Sequence, residues 1–222
     1  MRTCKSHKMG KNNGLFITFE GIHGCGKSTL MSILAKKLRD SKLNVVSLVD
    51  QQGTRIGREL RKINLETRYN SVDYLTEALL VAAARRPNVV EIIKPNLASG
   101  RIVLCERYND AFFAFQGIGR GLDINLLECI SAAVAEGVEP DLTFLLDIDP
   151  QIAISRLELF PKHRIEKEAI TFHNRVREGY LAQAKKHPHR IIVLNAALQI
   201  NEVFDNIWKE VEKVLVKGQN IC

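Results

Sequence analysis

The feature that most constrains this chain is a short apolar run, LFITFE at 15–20, that passes directly into GIHGCGKST at 21–29. The segment after it carries Leu30, Ile33, Leu34 and Leu38 at helical spacing. Gly21-Ile22-His23-Gly24-Cys25-Gly26-Lys27-Ser28 fits GxxxxGK(S/T) at every position and lies between strand and helix, as that motif requires. Glycines let the backbone curl so that successive N–H groups face a phosphate chain, and the following helix adds its positive end. Lys27, expected to stand exposed in the loop, would reach the β- and γ-phosphates, and the Ser28 hydroxyl would ligate Mg²⁺. This run, with Thr29, is the expected ATP-binding set.

Four more apolar runs follow: NVVSLV (44–49), RIVLCE (101–106), LTFLLDI (142–148) and RIIVLN (190–195). Helical patterns separate them. The first places Ile56, Leu60 and Ile63 on one apolar stripe. Residues 72–98 read as two helices broken near Arg86-Pro87, since proline disfavours helix in the residue before it. Further helices are expected at 123–135, 150–158, 166–187 and 200–216; in the last, Val203, Ile207, Val211 and Val214 form a stripe flanked by Phe204, Trp208 and Leu215. Strands apolar on both faces and separated by helices predict an α/β fold, a parallel sheet between two helical layers. Ligands in such sheets bind at the carboxyl ends of the strands. With no repeat and no linker, one domain is expected over 14–217, after a basic tail at 1–13.

Among 222 residues, 45% are hydrophobic and 26% charged, with no run of eighteen apolar residues, so no membrane span is expected. The basic tail is not followed by an apolar stretch, which argues against a secretory signal. The net charge of +7 suits an anionic ligand. Basic residues are not interleaved with aromatics, which make up only 6%, so nucleic acid is not the expected partner. Five scattered cysteines show no zinc spacing, and Cys105 and Cys129 fall in apolar runs, as a cytoplasmic protein permits.

A phosphate loop alone does not choose among NTPases. The chain has no NKxD guanine motif, and little of it lies beyond a nucleotide-binding core. That favours a kinase of small molecules, in which a second set of arginines holds an anionic acceptor. Glu106, at a strand end, is placed to hold Mg²⁺ through water or to accept a proton; Arg107 beside it can grip phosphate bidentately.

The sequence resembles the thymidylate kinase family over most of 14–216. The resemblance rests on FITFEG (16–21), Glu106-Arg107-Tyr108 for an Asp-Arg-Tyr signature, and Phe115-Gln116-Gly117 followed by Gly119-Arg120-Gly121-Leu122. PDLTFLLDIDP (140–150), Arg164-Ile165-Glu166 and FHNRVREGYL (172–181) carry it further. It implies a P-loop nucleoside-monophosphate-kinase fold with a five-stranded parallel sheet and a short lid at about 157–165. It also implies ATP- and Mg²⁺-dependent phosphorylation of dTMP by a homodimer, with helices at 72–98 and 123–135 as candidate interface. Arg107 would bind the acceptor phosphate, Arg85 and Gln116 the acceptor base, with Tyr108 and Phe112 in the same acceptor set. Arg164 would come down on the transferred phosphoryl group, completing a catalytic set of Lys27, Glu106, Arg107 and Arg164.

The departures from the family gather at the acceptor site. His23 replaces an acidic residue, and Val49 an arginine. Val81 stands where an aromatic stacks on thymine, which leaves Phe112 or Phe113 to supply the stacking. Ala84 replaces an aspartate, Ala111 and Phe112 replace small hydroxyl residues, and Lys162 is the lid's cation before Arg164. Two other readings therefore stay open. One is a kinase of another nucleotide or deoxynucleoside, since Glu106-Arg107 also resembles the Glu-Arg-Ser segment of deoxynucleoside kinases. The other is an ATP-binding module with weakened turnover.

Overall fold

A computed structural model describes residues 14–66, 72–156 and 164–219. The basic tail, lid positions 157–163 and Lys162 lie outside the described residues. Five parallel strands, β1 (Leu15–Glu20), β2 (Val45–Val49), β3 (Ile102–Glu106), β4 (Leu142–Asp147) and β5 (Ile191–Asn195), form one sheet in the order β2-β3-β1-β4-β5. The three inner strands are buried nearly throughout, while β2 and β5 at the edges expose part of their length. The continuous apolar runs of β1, β3 and β4 follow from having helices on both faces.

Helix α1 (Lys27–Asp40) leaves β1 through the glycine loop. Helices α2 (Arg55–Leu65), α3 (Tyr74–Pro87), α4 (Lys94–Ala98), α5 (Asn109–Phe112), α6 (Ile124–Ala135), α7 (Pro150–Ser155), α8 (Ile170–Lys186) and α9 (Ile200–Gln219) follow. The α9 stripe packs as its periodicity demands: Val203, Ile207 and Val211 are buried, and Lys37 of α1 lies 4.1 Å from the Trp208 ring centre. No described helix is long and apolar enough to cross a membrane.

Three expectations need correction. The chain does not break near Pro87; it stays helical from α3 through a wide-turned π segment, Asn88–Ile93, into α4. Proline removes one donor, but Val89, Ile93 and Leu97 of this run are buried with Phe16, Val103 and Tyr108. That tertiary burial outweighs the local preference of the dipeptide. Helix α2 does not turn its apolar stripe inward: Ile56 and Ile63 are 54% and 40% exposed, while Gly57 and Asn64 are buried. Cys129, read in an apolar run, is exposed.

The end of β1 carries a carboxyl shut away from solvent. Glu20 is fully buried, and its Oε1 accepts a 2.7 Å hydrogen bond from the Tyr108 amide. Burial, then the charge of Asp110, pushes its pKa from 4.5 to about 8. Between those values the unfolded chain ionises while the folded one keeps its proton, so Glu20 costs stability as pH rises from 4.5 to about 8. Glu20→Gln removes that dependence. Its unfolding free energy relative to the native protein should therefore climb by about 1.4 kcal/mol per pH unit between roughly pH 5 and 8 and level off above. Urea midpoints at five pH values measure this; a constant difference would mean that folded Glu20 is ionised throughout.

Candidate active site

The loop joining β1 to α1 needs positive-φ backbone at three glycines, Gly21, Gly24 and Gly26. Gly21 has φ 133°, and a side chain there would meet the Leu146 carbonyl at 2.6 Å; Gly26 has φ 96° and caps α1. Contrary to expectation, Lys27 is only 4% exposed. Its Nζ donates to the carbonyls of Ile22 (2.8 Å) and Gly21 (3.2 Å), inside the curl of the loop. Burial, then Arg107, lowers its pKa. Ser28 Oγ donates to Glu106 Oε2 at 2.7 Å, so hydroxyl and carboxylate from two distant segments meet at the strand ends. That pair supplies hard oxygen donors of the kind Mg²⁺ takes. Thr29 sits exposed behind them.

Beside the loop lies a cleft whose lining includes His23, Arg61, Arg85, Arg107, Phe112 and Gln116. Arg107 takes a positive φ of 68° just after β3. Its Nη1 donates to the Gly21 carbonyl (2.9 Å) and to Tyr180 Oη (2.7 Å), and its guanidinium lies 5.0 Å from the Phe115 ring centre. The buried Nη2 makes no hydrogen bond among the described residues. The same turn sends Tyr108 the other way, which corrects its assignment to the acceptor set. Tyr108 is fully buried against Phe16, with its hydroxyl donating to the Val138 carbonyl. It supports the site from below, its ring 5.4 Å from the Arg85 guanidinium.

Arg85 lines the cleft but is held on three sides. Its Nε and Nη2 donate to Asp50 Oδ2 (2.9 and 2.7 Å), and its Nη1 donates to Asn109 Oδ1. Asp50 was not singled out in the sequence, yet it is the carboxylate that holds Arg85. Arg61 was missed as well. It projects from the inward face of α2, between Gly57 and Asn64, and makes no hydrogen bond among the described residues. Burial, then Arg107, lowers its pKa. The signal was present as the spacing Gly57-Arg61-Asn64, on a face about 100° round the helix from the apolar stripe.

His23 lines the cleft too. Burial, then the positive charges of Arg107, Lys27 and Arg61, holds its pKa well below the usual imidazole value, so the ring is neutral near pH 7. Nε2 lies 3.7 Å from Glu166 Oε1, and buried Nδ1 has no hydrogen-bond partner among the described residues. Of the two phenylalanines offered for stacking, Phe112 packs with Val81 on the cleft wall, whereas Phe113 lines a different cavity between α6 and α8. Ala111 is in the wall and Ala84 is buried behind it.

Gln116 and Arg164 meet at Glu77 of α3. This fully buried carboxylate accepts from Gln116 Nε2 (3.1 Å), Arg120 Nε and Nη2 (both 3.1 Å), and Arg164 Nη2 (2.5 Å). Arg164 also donates to the Asn64 carbonyl. Here it closes the wall between α2 and α3 and is not over the phosphate loop, where the sequence placed it; the buried charge of Glu77 takes it instead.

The family model described as "Thymidylate kinase" matches residues 19–207. A thymidylate kinase of Pelotomaculum thermopropionicum is 41% identical over 204 residues, covering 91% of this chain and 94% of that protein. One of Halothermothrix orenii is 41% identical over 208 residues, covering 92% and 99%. A crystal structure of thymidylate kinase from Ehrlichia chaffeensis superposes with a TM-score of 0.75 at 33% identity, covering 89% of this chain and 98% of that one. With the phosphate loop, the Ser28–Glu106 pair and the arginine-lined cleft on one scaffold, the chain belongs to the thymidylate kinase family, nucleoside monophosphate kinases built on the P-loop α/β fold.

Proposed function

We propose that the protein transfers the γ-phosphoryl group of ATP to the phosphate of dTMP, giving dTDP. One observation carries the reading: three arginines, Arg61, Arg85 and Arg107, converge on a single cleft that opens beside Lys27. Among the described residues, Arg61 makes no hydrogen bond and Arg107 has an unpaired Nη2. Buried guanidinium groups without carboxylate partners call for an anion. An acceptor that already bears a phosphate supplies it, and the thymidylate kinases to which the chain is similar supply the base.

In this reading the loop amides and Lys27 hold the triphosphate, Lys27 exchanging its carbonyl partners for phosphate oxygens. Arg61 and Arg107 hold the acceptor phosphate in line with the donor. Neutral His23 offers a ring nitrogen to a sugar hydroxyl. Ser28 and Glu106 would hold Mg²⁺, which neutralises charge on the phosphates when bound. Catalysis is then positioning and charge neutralisation, with no covalent intermediate. Lys27, Ser28, Glu106 and Arg107 together disfavour an idle module.

The protein is further proposed to work as a homodimer. Ile56 and Ile63 of α2, Tyr74, Leu75 and Leu79 of α3, and Leu126 of α6 are all at least 40% exposed. An apolar stripe turned outward is explained by a second copy covering it. Ile63→Glu with Leu79→Glu should halve the mass seen by light scattering; a native protein that is already monomeric removes the proposal.

A coupled assay with ATP against a panel of nucleosides and nucleoside monophosphates tests the function. Ready phosphorylation of thymidine with none of dTMP would overturn it. Lys27→Ala should lose about a thousandfold or more in kcat with every acceptor while keeping its circular dichroism. Arg61→Ala should cost about 2–3 kcal/mol of transition-state binding, roughly thirty- to a hundredfold in kcat/KM for dTMP, with the KM for ATP little changed. Equal losses for ATP and dTMP would place Arg61 outside the acceptor site.

A further inference from the structure

The amide of Gln116 has one end committed. A carboxylate only accepts hydrogen bonds, so the contact to Glu77 must be made by Gln116 Nε2. That settles the orientation of an amide whose oxygen and nitrogen otherwise look alike. Glu77 cannot turn away, because Arg120 grips both its oxygens and Arg164 one of them. Gln116 therefore leaves its Oε1, which has no hydrogen-bond partner among the described residues, as the end available to a molecule in the cleft. Leu65, Val81, Phe112 and Ile165 supply the apolar part of the same lining, and Gln116 itself is only 4% exposed.

We propose that Glu77 is a positioning residue for base selection: by holding Gln116 Nε2, it presents only a hydrogen-bond acceptor to the base. The inference rests on the reading that the cleft takes a nucleoside monophosphate, and it adds which residue fixes the orientation of the base-facing amide. Thymine and uracil carry an N3–H donor that meets Oε1. Cytosine has a lone pair at N3, and two acceptors facing each other leave both unpaired.

The pair dUMP and dCMP isolates that edge, since the two match in ring and phosphate and both lack the methyl group, with dTMP as the control. The native enzyme should favour dUMP over dCMP by about a hundredfold or more in kcat/KM. In Glu77→Gln the new amide offers both a donor and an acceptor, so Gln116 can turn; the dUMP:dCMP ratio should fall by about tenfold or more, with the KM for ATP kept. A merely structural role for Glu77 would lower both substrates together and leave the ratio alone. Glu77→Asp keeps a charge for the arginines but draws the carboxylate back from Gln116, and should give an intermediate ratio. If Glu77→Gln shows no cooperative thermal melt, Glu77→Asp decides. An unchanged ratio in either folded variant overturns the inference. A native enzyme that uses dUMP and dCMP alike also overturns it, leaving phosphoryl transfer to a monophosphate standing. Failure to use any monophosphate removes the acceptor reading and this inference together.

Discussion

The site depends on a turn of one residue. At the end of β3, Arg107 takes left-handed backbone, a conformation that costs a non-glycine residue on the order of 1 kcal/mol or more. Because of it, three consecutive side chains go three ways. Glu106 meets Ser28 at the phosphate loop, Arg107 enters the acceptor cleft, and Tyr108 drops into the core beneath Arg85. The turn is held from several sides: the Arg107 amide donates to the Phe19 carbonyl, its guanidinium is fixed by Gly21 and Tyr180, and the next amide donates to Glu20. Donor loop, acceptor cleft and core are fastened to one another at that point.

The sheet and the phosphate loop were legible in the sequence because both depend on local pattern. Five apolar runs became the five strands, and the glycine spacing of 21–26 became the loop. What was not legible depends on which way a side chain faces once the chain has packed. Tyr108 follows a motif arginine and looks like a site residue, but the direction of the chain at Arg107 buries it. Arg164 carries a charge suited to the phosphoryl group, but Glu77, 87 residues earlier, takes it. No spacing in the sequence pairs those two residues.

Helix α2 shows the same limit more sharply. Its apolar residues invite burial, yet the face turned to the protein is Gly57, Arg61 and Asn64. Hydrophobic periodicity reports which face avoids water and is silent on whether the cover comes from the same chain. Where a helix roofs a polar cleft, function claims the inner face. Val49 leaves its strand end without a cation, while α2 brings Arg61 into the cleft. The cleft still has its third cation, supplied by a helix and not by a strand end.

The strand order has a kinetic consequence. β1, which feeds the phosphate loop, is the central strand, and its neighbours β3 and β4 come from much later in the chain; the Phe16 amide bonds to Asp141, 125 residues away. Such pairings close long loops before any contact repays the lost chain entropy. While the chain is being made, β1 has no partner to its right until β3 is out and none to its left until β4 is out. The loop's glycines can curl early, but nothing holds them in place. Nucleotide-binding geometry is therefore among the last features to form, and a half-made chain exposes its central strand.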